Sequence, residues 1–365
     1  MCAGTRSGWV GGGGAVTLLP EALSRALFGS ADPPALLVGS LLGATLVATG
    51  VFANTAVVVW GKRKIFAAFW EKIGPDRIGP MGVGIIIADA VRLISKELIV
   101  PERVDRPAWD LAPLVFAASA LLGFAVIPMG TVAGVTIQLA DPAVGIAFAF
   151  AVSSISTVAI AMAGYASANK YAMLGSLRAI AATIAYEIPL LLVGLSVVLM
   201  AGTLQTSGIV AGQQSTLVAV GPLAVPGWYG ILNPLAFLLF LGAMLAEVGR
   251  NPFDIPEAPQ EIIAGYQTEY GSVYFALLYV AEFLHVFLGG AIAATLFLGG
   301  PTGPVLPGVV WFVLKVWGFF LFTQWARASV PRVRIDQLLE GGWKYLLGLA
   351  VLNLLLTAVG VGVTA

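Results

Sequence analysis

Apolar residues dominate long stretches of the chain, and short polar segments separate these stretches. Most are about 20 residues long, enough for a helix to cross the hydrocarbon core of a bilayer at about 1.5 Å of rise per residue. A β-barrel would need alternating segments of about ten residues, and runs such as VFAASALLGFAVIP do not alternate. The pattern therefore predicts an all-α integral membrane protein with about eight transmembrane helices, near residues 35–60, 111–130, 143–167, 176–202, 230–248, 272–298, 305–326 and 343–363.

A shorter amphipathic segment precedes the second predicted span. Between residues 81 and 98, the charged residues Asp89, Arg92 and Lys96 recur at helical spacing on one face, and apolar residues occupy the rest. Burying these charges at the centre of a bilayer would cost several kcal/mol. We therefore expect an interfacial helix on the cytoplasmic side rather than a short ninth span.

The segment before the first span is different in character. It contains four consecutive glycines and few basic residues, and so does not look like a cleaved signal peptide. We expect residues 1–34 to be a flexible lead-in and residues 35–365 to form a single transmembrane domain. No inverted internal repeat of the kind found in many transporters is visible in the sequence.

Composition and charge agree with a location in the membrane. The chain is 59% hydrophobic and only 10% charged, far from the usual composition of a soluble domain. Cytoplasmic loops are expected to hold the excess of positive charge, and the loops near 131–142, 203–229 and 299–304 contain no Lys or Arg. Both termini should then be non-cytoplasmic. Most of the 19 Lys and Arg residues lie in the other loops: nine from Lys62 to Arg106, then Lys170, Arg178 and Arg250, and four from Arg327 to Lys344.

Ligands for redox cofactors are scarce. Cys2 is the only cysteine and His285 the only histidine, so this chain alone can hold neither a Cys-ligated iron–sulfur cluster nor a bis-His haem. We expect no metal or iron–sulfur cluster on this chain. His285 could act as a proton relay or be a hydrogen-bonded core residue, and the second interpretation is favoured.

One acid stands in the middle of a predicted span. Glu187 lies about halfway along the fourth span, and Pro189 follows two residues later. An ionised carboxylate in hydrocarbon must find a partner or take up a proton, and Pro189 leaves a backbone carbonyl free one turn earlier. A protonatable functional site is favoured over a neutral Glu bonded to a neighbouring helix.

Further acids gather near the fifth and sixth spans. Glu247 ends the fifth span and Glu282 lies about eleven residues into the sixth. The segment between them contains three prolines and several aromatic residues, which indicates a fixed and partly buried loop rather than a solvated one. We therefore expect an acidic funnel in this region. The acids of that segment are Asp254, Glu257, Glu261 and Glu269.

The basic residues near the span ends are less specific, because membrane anchoring explains each of them as well as a function does. Lys315 differs, because it lies near the middle of the seventh span, too deep to reach the interface easily. We expect it to pair with a carboxylate of this chain or of a partner chain. The candidates at span ends are Arg63, Arg178, Arg250, Arg327, Arg332 and Arg334.

Six ordered motifs between Trp60 and Lys344 resemble a known family. The chain is similar to the quinone-site membrane subunits of respiratory complex I, the NADH:quinone oxidoreductase. The motifs are KIGPDRIGPMG from Lys72, ADAVRLISKE from Ala88, GYASANKYAMLGSLRA from Gly164, AYEIPL from Ala185, NPFDIPEAPQEIIAGYQTEY from Asn251 and RASVPRVRIDQL from Arg327.

The resemblance implies a role in quinone reduction and proton translocation. In that family a quinone, ubiquinone or menaquinone, enters from the bilayer through this subunit and reaches two hydrophilic subunits, one of which carries the terminal iron–sulfur cluster. The implied partners are these subunits, the small membrane-arm subunits and the lipid bilayer, with no nucleic acid. By the resemblance, the quinone tunnel is lined by Arg63, Phe253, Asp254 and Arg327. The acids that link quinone chemistry to proton movement are Glu187, Glu247, Glu257, Glu261 and Glu282.

The sequence departs from the family pattern near the expected tunnel entrance. Lys62 stands where the family usually has Glu, and Trp70 and Lys72 replace Gln and Arg. Ile85 and Ile86 replace a Gln-Pro pair. The entrance is therefore less acidic than the pattern.

Three other functions compete with this interpretation. One is the homologous subunit of a membrane-bound hydrogenase or of a deazaflavin-dependent dehydrogenase, which share the scaffold. Another is a secondary transporter that uses the buried acids, against which the missing repeat argues. The third is a passive anchor that docks hydrophilic partners on the membrane.

Overall fold

The computed structural model describes residues 17–30, 32–220, 223–256 and 259–364. Within them the chain is almost entirely helical, which confirms the predicted all-α class. The helices are α1 (Leu19–Phe28), α2 (Pro33–Phe69), α3 (Ile85–Ile94), α4 (Arg106–Phe124), α5 (Gly145–Ala166), α6 (Lys170–Ala201), α7 (Thr206–Gly212), α8 (Tyr229–Leu232), α9 (Pro234–Glu247), α10 (Pro259–Ile262), α11 (Ser272–Phe297), α12 (Gly308–Ser329), α13 (Ile335–Glu340) and α14 (Leu347–Thr364).

Short strands occur only in the connections. In this part of the chain they are β1 (Thr17–Leu18), β2 (Thr131–Val132), β3 (Val135–Thr136), β4 (Thr216–Val220) and β5 (Leu223–Pro226). The first three form one small sheet in the order β1-β3-β2, with β1 parallel and β2 antiparallel to β3. Strands β4 and β5 form an antiparallel hairpin in the long connection between α7 and α8.

Seven helical segments of the described residues are long and apolar enough to cross a membrane: α2, α4, α5, α6, α11, α12 and the segment Ile335–Val363. The 14-residue apolar helix α9 occupies the place of the predicted fifth span and is shorter than the others. It begins after Asn233, whose side chain accepts a hydrogen bond from Ala236 N at 3.0 Å, so a side-chain cap and Pro234 start this helix.

The sixth predicted span, now α11, is the centre of the bundle. Two thirds of its apolar window, 67%, is buried inside the protein, against 11% for the last span. Small residues let neighbouring helices approach closely, as is usual where no hydrophobic effect separates helix from lipid. A Cβ added at Gly123 of α4 would lie 2.6 Å from Leu288 Cδ2 of α11, so this contact requires glycine.

A second apolar core joins α4, α5 and the start of α11. Its centre is the stacked pair of Trp109 and Tyr270, with ring centroids 3.9 Å apart. The Tyr270 hydroxyl donates to the Trp109 carbonyl at 3.3 Å. Burial, followed by the nearby charge of Asp110, raises the pKa of Tyr270 above its ordinary value. This phenol therefore stays neutral and anchors the segment before α11.

The lead-in differs from expectation where the structure describes it. Residues 17–28 form β1 and α1, and Ser24 of α1 packs against α2 at Gly39, where a Cβ would lie 3.2 Å from Ser24 Cβ. The short amphipathic sequence LPEALSRALF cannot span a bilayer, but it can cover α2. Residues 1–16 and 31 lie outside the described residues, and the division at residue 34 stays a prediction.

The last span begins earlier than predicted. Helix α13, a π-helical turn at Gly341–Leu346 and α14 follow one another without a break. Gly342 of the π turn approaches Ala185 of α6, and a Cβ there would lie 3.1 Å from the Ala185 carbonyl oxygen. Pro189 cannot donate to this carbonyl, so the close approach falls where α6 lacks a backbone hydrogen bond.

Lys315 contradicts the expected pairing with a carboxylate. Its ammonium donates to the carbonyls of Leu298, Gly300 and Thr302 at 2.5, 2.8 and 2.7 Å. It also lies 4.7 Å from the ring centroid of Trp228. An ammonium has three N–H donors, and all of them are used here. Because α12 starts at Gly308, Lys315 is only two turns from its end and caps the unpaired carbonyls that follow α11.

We expect Lys315→Met to destabilise the protein by about 2 kcal/mol or more, because hydrogen bonds to a charged donor contribute about 1.5–3 kcal/mol each. The measurement is the unfolding transition in detergent micelles. Lys344→Met is the matched control, since Lys344 is 69% exposed and pairs only with exposed Glu340. This surface pair should contribute less than about 1 kcal/mol. Equal transitions for the two variants would contradict the capping role.

Candidate functional site

Two cavities flank the outer and inner sides of α11. The first, here called the α3 cavity, has a volume of about 430 Å³ and lies between α2, α3 and α11. The second, here called the acidic cavity, has a volume of about 60 Å³. The polar groups that line the acidic cavity include Glu247, Glu282, His285, Ser153, Ser156 and Thr183.

The α3 cavity is mostly apolar and has one ion pair in its wall. Arg63, near the end of α2, donates to Asp89 of α3 at 2.7 Å. Asp89 also lies 3.6 Å from Arg92. Helix α3 forms where the amphipathic segment predicted it, and none of its residues is buried. Asp89 thus points to α2 and the cavity, and its location at the membrane surface stays a prediction.

Aromatic and basic side chains connect the α3 cavity with the interior. Tyr279 of α11 lines the cavity and accepts a hydrogen bond from Lys62 at 3.4 Å. The Lys62 ammonium also lies 4.8 Å from the ring centroid of Phe283, and the Arg250 guanidinium lies 4.5 Å from the same ring. Two cations on one aromatic ring form a basic passage from the cavity inwards.

The passage ends at a buried ion pair. Arg250 Nη2 and Glu282 Oε2 are 3.4 Å apart, with only 7% and 10% of the side chains exposed. Glu282 Oε1 also accepts hydrogen bonds from Tyr266 at 3.1 Å and from Gln267 at 2.7 Å. The acid of α11 is therefore fixed by the loop that precedes this helix, and a polar connection runs from the span to that loop.

His285 lies one turn after Glu282 and lines the same cavity. Its Nδ1 is 2.9 Å from the Ala281 carbonyl, and its Nε2 is 3.2 Å from Ser119 Oγ. Its ring stacks on Phe116 at 4.7 Å. Because both nitrogens have partners in the core, the hydrogen-bonded interpretation is confirmed for this residue.

Glu187 and Glu247 form the far side of the site. Ser154 of α5 donates a hydrogen bond to Glu187 Oε1. Glu247 ends α9 close enough to Glu187 for the two carboxylates to repel each other. Within the described residues, Glu247 Oε2 is buried and has no hydrogen-bond partner. A buried polar atom of this kind calls for water or a proton.

The loop acids of the predicted funnel are paired rather than open. Asp254 accepts a hydrogen bond from Arg332 at 2.9 Å, and Glu261 accepts one from Arg178 at 2.5 Å. Glu269 accepts one from Asn169 at 2.5 Å. These pairs hold the loop to its neighbours, so these acids are part of its framework. Glu257 lies outside the described residues.

The predicted tunnel residues separate into two groups. Arg63 and Arg327 both place their charges near Tyr279, and Arg327 also lies 5.6 Å from the ring centroid of Phe66. Phe253 packs on Tyr186 of α6 at 5.5 Å between ring centroids and also lines the acidic cavity. Asp254 is held beside this second group by its pair with Arg332.

Sequence reasoning missed several polar partners of the acids. These are Ser154, Tyr266, Gln267 and Tyr279. The run of hydroxyl residues from Ser153 to Thr157, inside an otherwise apolar span, was an available signal. The helical spacing of charges indicates Asp89 but not its pairing with Arg63. Among the described residues, no group of three or more His, Cys, Asp or Glu side chains could hold a metal ion.

Comparisons with known proteins agree with this geometry. The family model described as NADH dehydrogenase matches residues 42–358. The relatives are one subunit, designated H, of the NADH-quinone oxidoreductase from several bacteria. The chain is 43% identical over 327 residues to that of Thermomicrobium roseum, covering 88% of this chain and 95% of that relative. It is 42% identical to that of Dehalococcoides mccartyi strain CBDB1, with 84% and 83% covered. For that of Methylococcus capsulatus the identity is 40%, with 90% and 98% covered.

Proposed function

The chain belongs to the NADH dehydrogenase family, and from this membership we propose that it forms the quinone entrance of a proton-pumping NADH:quinone oxidoreductase and the acidic link to proton translocation. It is a multi-pass membrane subunit of an oxidoreductase complex and is not catalytic alone. One observation carries the finer proposal: a polar route runs from the α3 cavity through Tyr279 and Arg250 to Glu282.

The α3 cavity suits an amphiphilic substrate. Its volume of about 430 Å³ is within the usual range of ligand sites. Apolar residues of α2, α3 and α11 would contact the isoprenoid tail, and Arg63 would contact the polar head as it passes. Ubiquinone and menaquinone share this chemistry. Electrons would come from the terminal iron–sulfur cluster of a hydrophilic partner subunit.

The acids support a link between quinone chemistry and proton movement. Reduction of the quinone takes up protons and changes the charge near the loop of residues 250–271. Glu282 is hydrogen-bonded to that loop through Tyr266 and Gln267, so a displacement of the loop alters the partners of a buried carboxylate. The acidic cavity and the repulsion between Glu247 and Glu187 would carry this change further into the membrane.

The arrangement of charge supports the proposed partners. Loops rich in Lys and Arg would face the cytoplasm and the hydrophilic quinone-site subunits, and both termini would then be non-cytoplasmic. The apolar outer faces would contact the inner-membrane lipid and the small membrane-arm subunits. Purifying the complex and testing whether it oxidises NADH, hydrogen or a reduced deazaflavin separates this proposal from the related complexes.

Arg327→Ala tests whether the chain is more than an anchor. We expect the assembled variant complex to lose about tenfold in kcat/KM for quinone, equal to about 1.4 kcal/mol, because a cation near Tyr279 is removed. The measurement is NADH:quinone reductase activity normalised to the assembled complex. Arg334→Ala is the control, since Arg334 is 74% exposed and pairs with exposed Asp336. Full turnover in the Arg327 variant would favour the passive anchor.

A further inference from the structure

Ser272 joins the start of α11 to the end of α3. Its hydroxyl lies 2.8 Å from the Lys96 carbonyl and 3.2 Å from the Leu93 carbonyl. Both carbonyls lie at the C-terminal end of α3, where the last carbonyls of a helix have no partner within it. Ser272 is 4% exposed, so this contact is shielded from water.

The backbone at this position is unfavourable for serine. Ser272 has φ +51°, in the left-handed region, whereas the preceding Gly271 has φ −128° and ψ 173°, which any residue adopts. Conformation alone would favour the reverse order of these two residues. A left-handed residue with a side chain costs about 1–2 kcal/mol. The hydroxyl, with its two carbonyl partners, gives a physical reason for serine at the strained position.

Helix α3 has few other attachments. None of its residues is buried, and its main helix contacts are with α2 and α11. On the α2 side the attachment is the ion pair of Arg63 and Asp89. On the α11 side it is Ser272. The two attachments lie on opposite sides of α3, the helix that closes the α3 cavity.

We propose that Ser272 is a positioning residue for quinone entrance, which fixes the C-terminal end of α3 against α11 and thereby sets the width of the α3 cavity. This inference rests on the proposed function. Glu282 lies ten residues further along the same helix, about 15 Å from Ser272 at helical rise. A tail that pushes α3 outwards therefore pulls on the first turn of the helix that carries the buried acid.

The test compares Ser272→Ala and Ser272→Gly with Ser95→Ala in the assembled complex. Alanine removes only the hydroxyl, and glycine also relieves the backbone, so the glycine variant serves if the alanine variant assembles poorly. Ser95 is the matched control, because its exposed hydroxyl donates to the Arg92 carbonyl within α3 and does not reach α11.

We expect both Ser272 variants to raise KM for a long-tailed quinone about fivefold, the factor that corresponds to losing one hydrogen bond of ordinary net strength. KM for a short-tailed analogue and kcat should stay near the values of the unmodified complex. Amide hydrogen exchange of residues 85–98 should accelerate by a similar factor. The Ser95 variant should change none of these.

Unchanged exchange, or equal changes of KM for long and short tails, would overturn the inference. Arg63→Gln separates this failure from failure of the proposed function. If Arg63→Gln raises KM and the Ser272 variants do not, only the positioning role is wrong. If neither changes KM for any quinone, the α3 cavity is not the route.

Discussion

Glu282→Gln is expected to destabilise the protein by about 3–5 kcal/mol, because it leaves the buried Arg250 charge without a carboxylate. Arg250 and Glu282 are 7% and 10% exposed, so water cannot replace the lost partner. Glutamine keeps an oxygen that can accept from Tyr266 and Gln267, and the loss is therefore mainly one of charge. The measurements are thermal denaturation of the purified complex and its quinone reductase activity, both of which should fall.

A double variant separates stability from function. Arg250→Gln together with Glu282→Gln removes both buried charges, and we expect it to recover most of the lost stability, since a neutral pair no longer needs a counter-charge. Quinone-coupled proton pumping should stay low, because no carboxylate remains on α11 in the acidic cavity. If the double variant pumps normally, Glu282 has only a structural role.

Glu261→Gln provides the comparison on the surface. Glu261 pairs with Arg178 at 2.5 Å, but its side chain is 54% exposed. Its removal should cost less than about 1 kcal/mol, because solvent screens such pairs. A large loss of stability in this variant would mean that ion pairs of the loop matter irrespective of burial.

The sequence was sufficient for the class of fold but not for its details. Apolar length predicted the spans, since the cost of exposing backbone polar groups to lipid leaves helices as the economical structure. It overestimated the lead-in, because α1 is too short and too charged to register as a span. Short elements of this kind are stabilised by one neighbour, here α2 at Gly39, and such contacts have no period in the sequence.

The site could be predicted in part, and the reason is again physical. An acid inside an apolar run is conspicuous, so Glu187 and Glu282 could be singled out from the sequence. Their partners could not, because Tyr266, Gln267 and Ser154 are ordinary residues until the fold brings them within hydrogen-bond distance. Lys315 shows the converse error. Its charge demanded a partner, but backbone carbonyls met that demand, and these are present at every position.

Glu187→Gln is expected to lower quinone reductase activity and coupled proton pumping together, with assembly intact. Glutamine keeps the oxygen that accepts the hydrogen bond of Ser154, but it can no longer exchange a proton or repel Glu247. Loss of a proton-transfer group typically costs on the order of a hundredfold or more in rate when that step limits turnover. Reductase rates and acidification of membrane vesicles measure the two activities in the same preparation.

Ser154→Ala is the matched variant for this experiment, because it removes the hydrogen bond and leaves the carboxylate in place. We expect it to retain much more pumping than Glu187→Gln. Undiminished pumping after Glu187→Gln would remove this acid from the proton path, and Glu247 would then be the end of the route from Glu282. Loss of pumping with full reductase activity would mean that proton movement and quinone reduction are separable at Glu187, which contradicts a link that both must use.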